Sequence, residues 1–106
     1  MKQNKITSML GIAMKAGKIA SGEFMTENAI KDGSACLVLL ASDCSGNTKK
    51  KFRNSCEFYH VPYYEIEDKE ELGRCIGKEF RASLAVLDEG IAKTLMSYMD
   101  NNSLKE

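Results

Sequence analysis

Segments of helical and of strand period alternate along this chain, and that alternation predicts an α/β fold. One largely buried mixed or parallel sheet would lie between two helical layers, three layers in all. Two observations carry the prediction. The run Ala35-Cys-Leu-Val-Leu-Leu-Ala41 is continuously apolar, bounded by Gly33-Ser34 and Ser42-Asp43, and too short for a helix in this setting, so it reads as a central strand covered on both faces. Breakers also follow the helical patterns in register, at Gly17, Gly33, Pro62 and Gly77. A chain of 106 residues suits one domain over 1–106, with a core over about 4–99 and a short polar C-terminal tail.

The first helix opens near Asn4, with Ile6, Met9, Leu10 and Ala13 at helical spacing, and Gly17 stands where a helix end takes a left-handed residue. Ile19-Ala20 is a short strand. Ser21 or Gly22 caps a second helix, marked by Phe24, Met25, Ala29 and Ile30 and stopped at Asp32-Gly33. After the apolar strand, Ser45-Gly-Asn-Thr48 is a turn with an N-cap candidate, and Phe52, Cys56 and Tyr59 mark a basic third helix closed by His60-Val-Pro62. Tyr63 to Ile66 is a strand. Asp68 caps a short acidic helix through Leu72 to Ile76, ended by Gly77, and Lys78-Glu-Phe-Arg81 is a loop. Ala82 to Leu87 is the last strand, and Asp88 caps a final helix carrying Ile91, Leu95 and Met99.

Fifteen basic and fifteen acidic residues give a formal net charge of zero, which argues against nucleic-acid binding by bulk charge. The charges are nevertheless segregated. Lys2, Lys5, Lys15 and Lys18 precede any acid, Lys49-Lys-Lys-Phe-Arg53 forms a second basic cluster, and Glu65 to Glu71 is predominantly acidic. The stretch Lys15 to Asn28 puts two lysines next to a glycine-freed helix start, whose unpaired N–H groups favour anions, and it reads as an RNA-contacting edge. The same residues also suit an ordinary helix-turn-strand-helix connection with solvated lysines. Lys49 to Lys51 reads either as a solvated helix face or as a secondary electrostatic contact.

The longest apolar run is far too short to span a bilayer, and the N-terminus lacks a secretory signal pattern, so a soluble cytoplasmic protein without a membrane partner is expected. Cys36, Cys44, Cys56 and Cys75 have no Cys-x-x-Cys spacing and read as reduced packing residues. No P-loop, dinucleotide fingerprint, metal-spaced His/Cys set or nucleophile elbow occurs, so no motif supports an enzyme reading or a metal site. Cys56 and His60 could be drawn as a thiolate pair, and Cys44 as a nucleophile after the central strand. Their ordinary readings are core packing for Cys56, a solvated helix cap for His60 and an incidental thiol for Cys44.

Gly22, eleven residues to Gly33, the strand end Leu-Leu-Ala-Ser-Asp43, Val61-Pro62 and Glu71-Leu-Gly-Arg-Cys-Ile-Gly77 fall in an order that resembles the kink-turn RNA-binding ribosomal proteins. Leu10-Gly-Ile-Ala-Met-Lys-Ala-Gly-Lys18, Asn47-Thr-Lys-Lys-Lys51 and Gly77-Lys-Glu79 are similar to the bacterial YlxQ-type members of that family. The resemblance covers nearly the whole chain. It implies an α/β/α sandwich with a small mixed sheet, gripping the sharply bent loop called a kink-turn in ribosomal or regulatory RNA, without catalysis or cofactor. The ribosome becomes a candidate partner, and a monomer is the default state.

A regular A-form duplex hides its base edges in a deep, narrow major groove, so a helix can enter only where the RNA is kinked. In the family, the helix starting at the position of Gly22 reads sheared G·A pairs through an Asn-Glu pair and a Lys three residues later; those slots fall on Phe24, Met25 and Asn28. Phe and Met cannot make base-edge hydrogen bonds and Asn28 carries no charge, which leaves Glu23 to substitute by a small shift. A second family contact, a loop that caps a flipped-out nucleotide, falls on Lys78, Glu79, Phe80 and Arg81, where Phe80 can stack on a base. The expected RNA-binding set is Lys15, Lys18, Gly22, Glu23, Phe24, Met25, Asn28, Lys31, Lys78, Glu79, Phe80 and Arg81. Two other classes compete: a protein-interaction module that keeps the fold and uses Phe24, Met25 and Phe80 as an apolar patch, and a thiol-dependent enzyme using Cys44 or Cys56. The RNA reading requires Gly22 and Phe80 to share one side of the molecule.

Overall fold

A computed structural model describes residues 5–105; Lys2 and Asn4 lie outside the described residues. The elements are α1 (Lys5–Lys15), β1 (Ile19–Ser21), α2 (Glu23–Lys31), β2 (Leu37–Ala41), α3 (Gly46–Tyr59), β3 (Tyr63–Ile66), α4 (Lys69–Cys75), β4 (Ser83–Val86) and α5 (Glu89–Lys105). Four strands form one sheet in the order β1-β4-β2-β3, with β4 antiparallel to both β1 and β2, and β3 parallel to β2. The sheet is therefore mixed, and the alternatives left by the alternating pattern close on that answer.

All five residues of β2 are 1% exposed or less, as its unbroken apolar run requires. The strand's two-residue period divides that run between two cores. Leu37, Leu39 and Ala41 pack with Leu10, Leu72 and Leu95 from α1, α4 and α5, while Val38 and Leu40 pack with Ile30, Phe52 and Cys56 from α2 and α3. The result is the three-layer α/β/α sandwich. Local chemistry sets its joints: Ser45 Oγ accepts from Thr48 N at 3.1 Å, Asp68 Oδ1 from Glu71 N at 2.8 Å and Asp88 Oδ2 from Ile91 N at 2.9 Å, each at a helix start. His60 takes the left-handed conformation, φ 61°, and its N–H donates to Cys56 O to end α3.

Three expectations are corrected. Phe24 and Met25 do not mark the buried face of α2; they are 72% and 52% exposed, and Thr26, Ala29 and Ile30 face the sheet instead. Thr26 is tolerated there because its hydroxyl accepts from Ser83 Oγ at 3.4 Å. Tyr59 is 41% exposed, set in the last turn of α3 against Phe58, past the point where the helix leaves the core. The expected polar tail is helical through Lys105, since α5 is anchored by Ala92, Leu95 and Met99 and no Gly or Pro follows to stop it.

Candidate nucleic-acid interface

At the outer edge of the sheet, Gly22 turns the chain from β1 into α2. Its backbone sits at φ 92°, a conformation that an L side chain rarely adopts, its N–H donates to Ser83 O at 3.0 Å, and no side chain caps the helix it starts. The first-turn N–H groups of α2 keep the partial positive charge of an uncapped helix start. Phe24 and Met25 project from that turn into solvent, and Asn28 is exposed one turn further on.

The Lys78–Arg81 loop reaches the same edge. Arg81 Nε donates to Ser21 Oγ at 3.3 Å, Arg81 Nη1 to Phe80 O at 2.8 Å, and Arg81 N to Lys69 O at 3.1 Å, so one side chain stitches the loop to the residue before Gly22. Gly22 and Phe80 are each the chain neighbour of a partner in that Arg81–Ser21 bond. Phe80 is 63% exposed. Behind it the loop backbone rests on α4: Lys78 N donates to Gly73 O at 2.8 Å, and a β-carbon at Gly73 would fall 1.7 Å from Glu79 O. Gly73 is thus the floor on which the loop is seated, because any side chain there would displace the loop backbone.

Lys15 and Lys18 are not beside the start of α2. Leu87 N donates to Lys18 O at 2.8 Å, and Ile19 pairs with Val86 while Ser21 pairs with Leu84, so β1 holds Lys18 roughly 13 Å from Gly22 at strand rise. Lys15 instead lines a groove of about 590 Å³ between α1 and α4. Lys31 lies at the far end of α2, 3.3 Å from Glu27. Adjacency in sequence had suggested one cluster, and an extended strand separates it into two.

The ion pairs sort the cations further. Lys51 Nζ lies 2.7 Å from Glu23 Oε2 and 2.9 Å from Glu27 Oε1, and Lys49 Nζ lies 3.5 Å from Glu65 Oε1. Hydrogen bonds that Lys51 donates to Glu23 and then to Glu27 hold its ammonium above its ordinary range, and the hydrogen bond accepted from Lys51 is the main cause that holds Glu27 below its own. Glu23, named as a stand-in base reader, is committed to this bridge. Lys15, Lys18, Lys78 and Arg81, by contrast, have no carboxylate partner among the described residues. The Lys51 bridge, the Gly73 floor and the α1–α4 groove escaped sequence reading; only opposite charges at long range hinted at the first.

Thiol chemistry finds no support in this geometry. Burial pushes the Cys56 and Cys75 thiols up to about 11, and desolvation raises Cys36 and Cys44 as well, the opposite of what a nucleophilic thiolate needs. His60 is an exposed helix cap. Among the described residues no group of His, Cys, Asp and Glu is arranged to hold a metal, and no helix is long and apolar enough to cross a membrane.

The profile of the ribosomal protein L7Ae/L30e/S12e/Gadd45 family matches residues 4–96. The chain is 46% identical over 92 residues to a Bacillus subtilis protein named RNA-binding protein YlxQ, covering 87% of this chain and 92% of that protein. It is 40% identical over 92 residues to large ribosomal subunit protein eL30 of Methanosarcina mazei, covering 85% and 84% of the two chains. A solved structure of a protein with unknown function from Bacillus halodurans C superposes with a TM-score of 0.90 at 35% identity, over 92% of this chain and 99% of that one.

Proposed function

The chain belongs to the ribosomal protein L7Ae/L30e/S12e/Gadd45 family, and from that premise we propose that it is a non-enzymatic RNA-binding protein that grips a kink-turn in structured RNA. The observation that carries the proposal is the Arg81–Ser21 hydrogen bond, which joins the start of α2 to the Phe80 loop in one cradle. Gly22 opens an uncapped helix end toward phosphate, Phe24, Met25 and Asn28 line its rim, and Phe80 offers a ring to an unstacked base. Lys78 and Arg81 supply cations that need break no internal ion pair to meet phosphate. Lys18 acts at the other end of β1 and Lys15 from the α1–α4 groove, whereas Glu23, Lys31 and Glu79 help to shape the site. The protein acts as a single cytoplasmic domain and as a monomer, and its eL30 relative puts ribosomal RNA first among the ligands to try.

A gel-shift titration with a kink-turn RNA and with the same RNA lacking its tandem G·A pairs tests this. The intact kink should bind about tenfold tighter or better, with affinity falling as salt rises. Equal affinity for the two RNAs would remove the kink-turn claim.

The exposure of Phe24, Met25 and Phe80 favours a second reading, an interaction module that docks another protein on this apolar rim. That reading expects no measurable RNA affinity at moderate salt, and loss of a co-purifying protein in Met25→Asp.

A further inference from the structure

We propose that the groove between α1 and α4 extends the RNA surface beyond the kink and holds the ribose-phosphate backbone of a strand leaving it. The inference rests on the RNA-binding reading above. Ser8, Ile12 and Lys15 of α1 and Glu71 and Arg74 of α4 are among its walls, around about 590 Å³. Arg74 also lines the recess of about 360 Å³ that contains Lys78 and Phe80. Arg74 lines both spaces, so a strand leaving the Phe80 loop along this residue would reach the groove.

The lining suits a phosphate backbone. Arg74 is 59% exposed and Glu71 only 16%, so of the two α4 charges that line the groove the cation is the more open to solvent. Arg74 is held by Glu70 at 3.1 Å and Glu71 at 3.6 Å, intrahelical surface pairs that a phosphate displaces readily by bidentate contact. Lys15 stands exposed on the opposite wall with no ion-pair partner among the described residues. Ser8 offers a hydroxyl, and Ile12, 57% exposed, gives an apolar surface for a sugar or base face. Lys15 thereby acquires a ligand, although the fold carries it away from Gly22.

The experiment measures full-chain affinity for a minimal kink-turn RNA and for two versions carrying a single-stranded extension of about six nucleotides, one on each strand leaving the kink. One extension should tighten binding about tenfold at low salt, and the gain should shrink as salt rises with a log–log slope of about 0.7 per phosphate contacted. Ser8→Glu and Ile12→Glu, both at exposed positions, should abolish the gain and leave affinity for the minimal RNA unchanged. Minimal RNA bound with no gain from either extension overturns the groove and spares the kink-turn reading. Minimal RNA that fails to bind overturns both. A gain that survives in Ile12→Glu, while that variant loses a co-purifying protein, assigns the groove to a protein and also overturns the proposal.

Discussion

On α3, Lys49 and Lys51 of the densest basic run in the chain end on carboxylates of the same molecule, at 3.5 Å from Glu65 and at 2.7 and 2.9 Å from Glu23 and Glu27. In the α4–β4 loop, Lys78 and Arg81 stand beside a glutamate in sequence yet meet no carboxylate among the described residues. Two cations of that run meet counter-charges on neighbouring elements as the fold forms, while Lys50 and Arg53 of the same run, like the two loop cations, have no carboxylate partner among the described residues. Local charge density in a sequence is therefore a poor guide to where an anion binds. What counts is which cations remain unneutralised after folding, and Lys78 and Arg81 in the Phe80 loop are two of these, whereas Lys49 and Lys51 are not.

The strongest way to break this contrast is to unseat the loop. Gly73→Ala drives a β-carbon into Glu79 O and moves Phe80 and Arg81 together, so it should lower stability by about 1–3 kcal/mol. Its affinity for kink-turn RNA should fall roughly a hundredfold, from the combined loss of one stacking and one charge-assisted contact. Wild-type affinity in a shifted melt would show that the loop's position is irrelevant to RNA. Phe80→Ala isolates the ring: binding should weaken by about 1–3 kcal/mol with no change in thermal midpoint, because the ring is 63% exposed in the free protein. The third test compares the two basic regions directly. Lys78→Ala should reduce the salt dependence of binding by about one ion, whereas Lys49→Ala should leave the slope where it was. The opposite result would place the RNA on α3.

How far the sequence reveals this molecule depends on the range of the interaction involved. β2 was legible because five consecutive apolar residues can satisfy both faces of a sheet only at its centre. Ser45, Asp68 and Asp88 were legible because a cap bonds within three residues of itself. Phe24 and Met25 misled because apolar spacing says nothing about a first turn that hangs past the sheet, and the buried position fell to Thr26, whose partner Ser83 lies 57 residues away. The candidate site needed more. That Arg81 meets Ser21, 60 residues away in the chain, depends on β1 pairing with β4, and that Lys18 leaves Gly22 depends on the three residues between them being extended. Gly73 looks like an ordinary helix glycine until the backbone six residues later is laid over it.

The smallest expected effect concerns the bridge that neutralises Lys51 on α3. Both Lys51 and Glu27 retain solvent contact, with side chains 37% and 25% exposed, so screening limits the pair, and Lys51→Ala should lower stability by only about 0.5–1 kcal/mol at neutral pH. The pH dependence identifies the cause. Glu27 sits below its ordinary value of 4.5 in the fold, so its contribution is complete above that pH and fades as acid carries it through its lowered folded value. Lys51 sits above its ordinary value of 10.5, so its contribution is complete below that pH and fades as base carries it through the raised value. Chemical denaturation of the two proteins should therefore show a constant gap between those limits that closes on the acid side as pH falls below 4.5. A gap of zero at pH 7 would mean that Lys51 is as available as Lys78, and the distinction between the two basic regions would no longer hold.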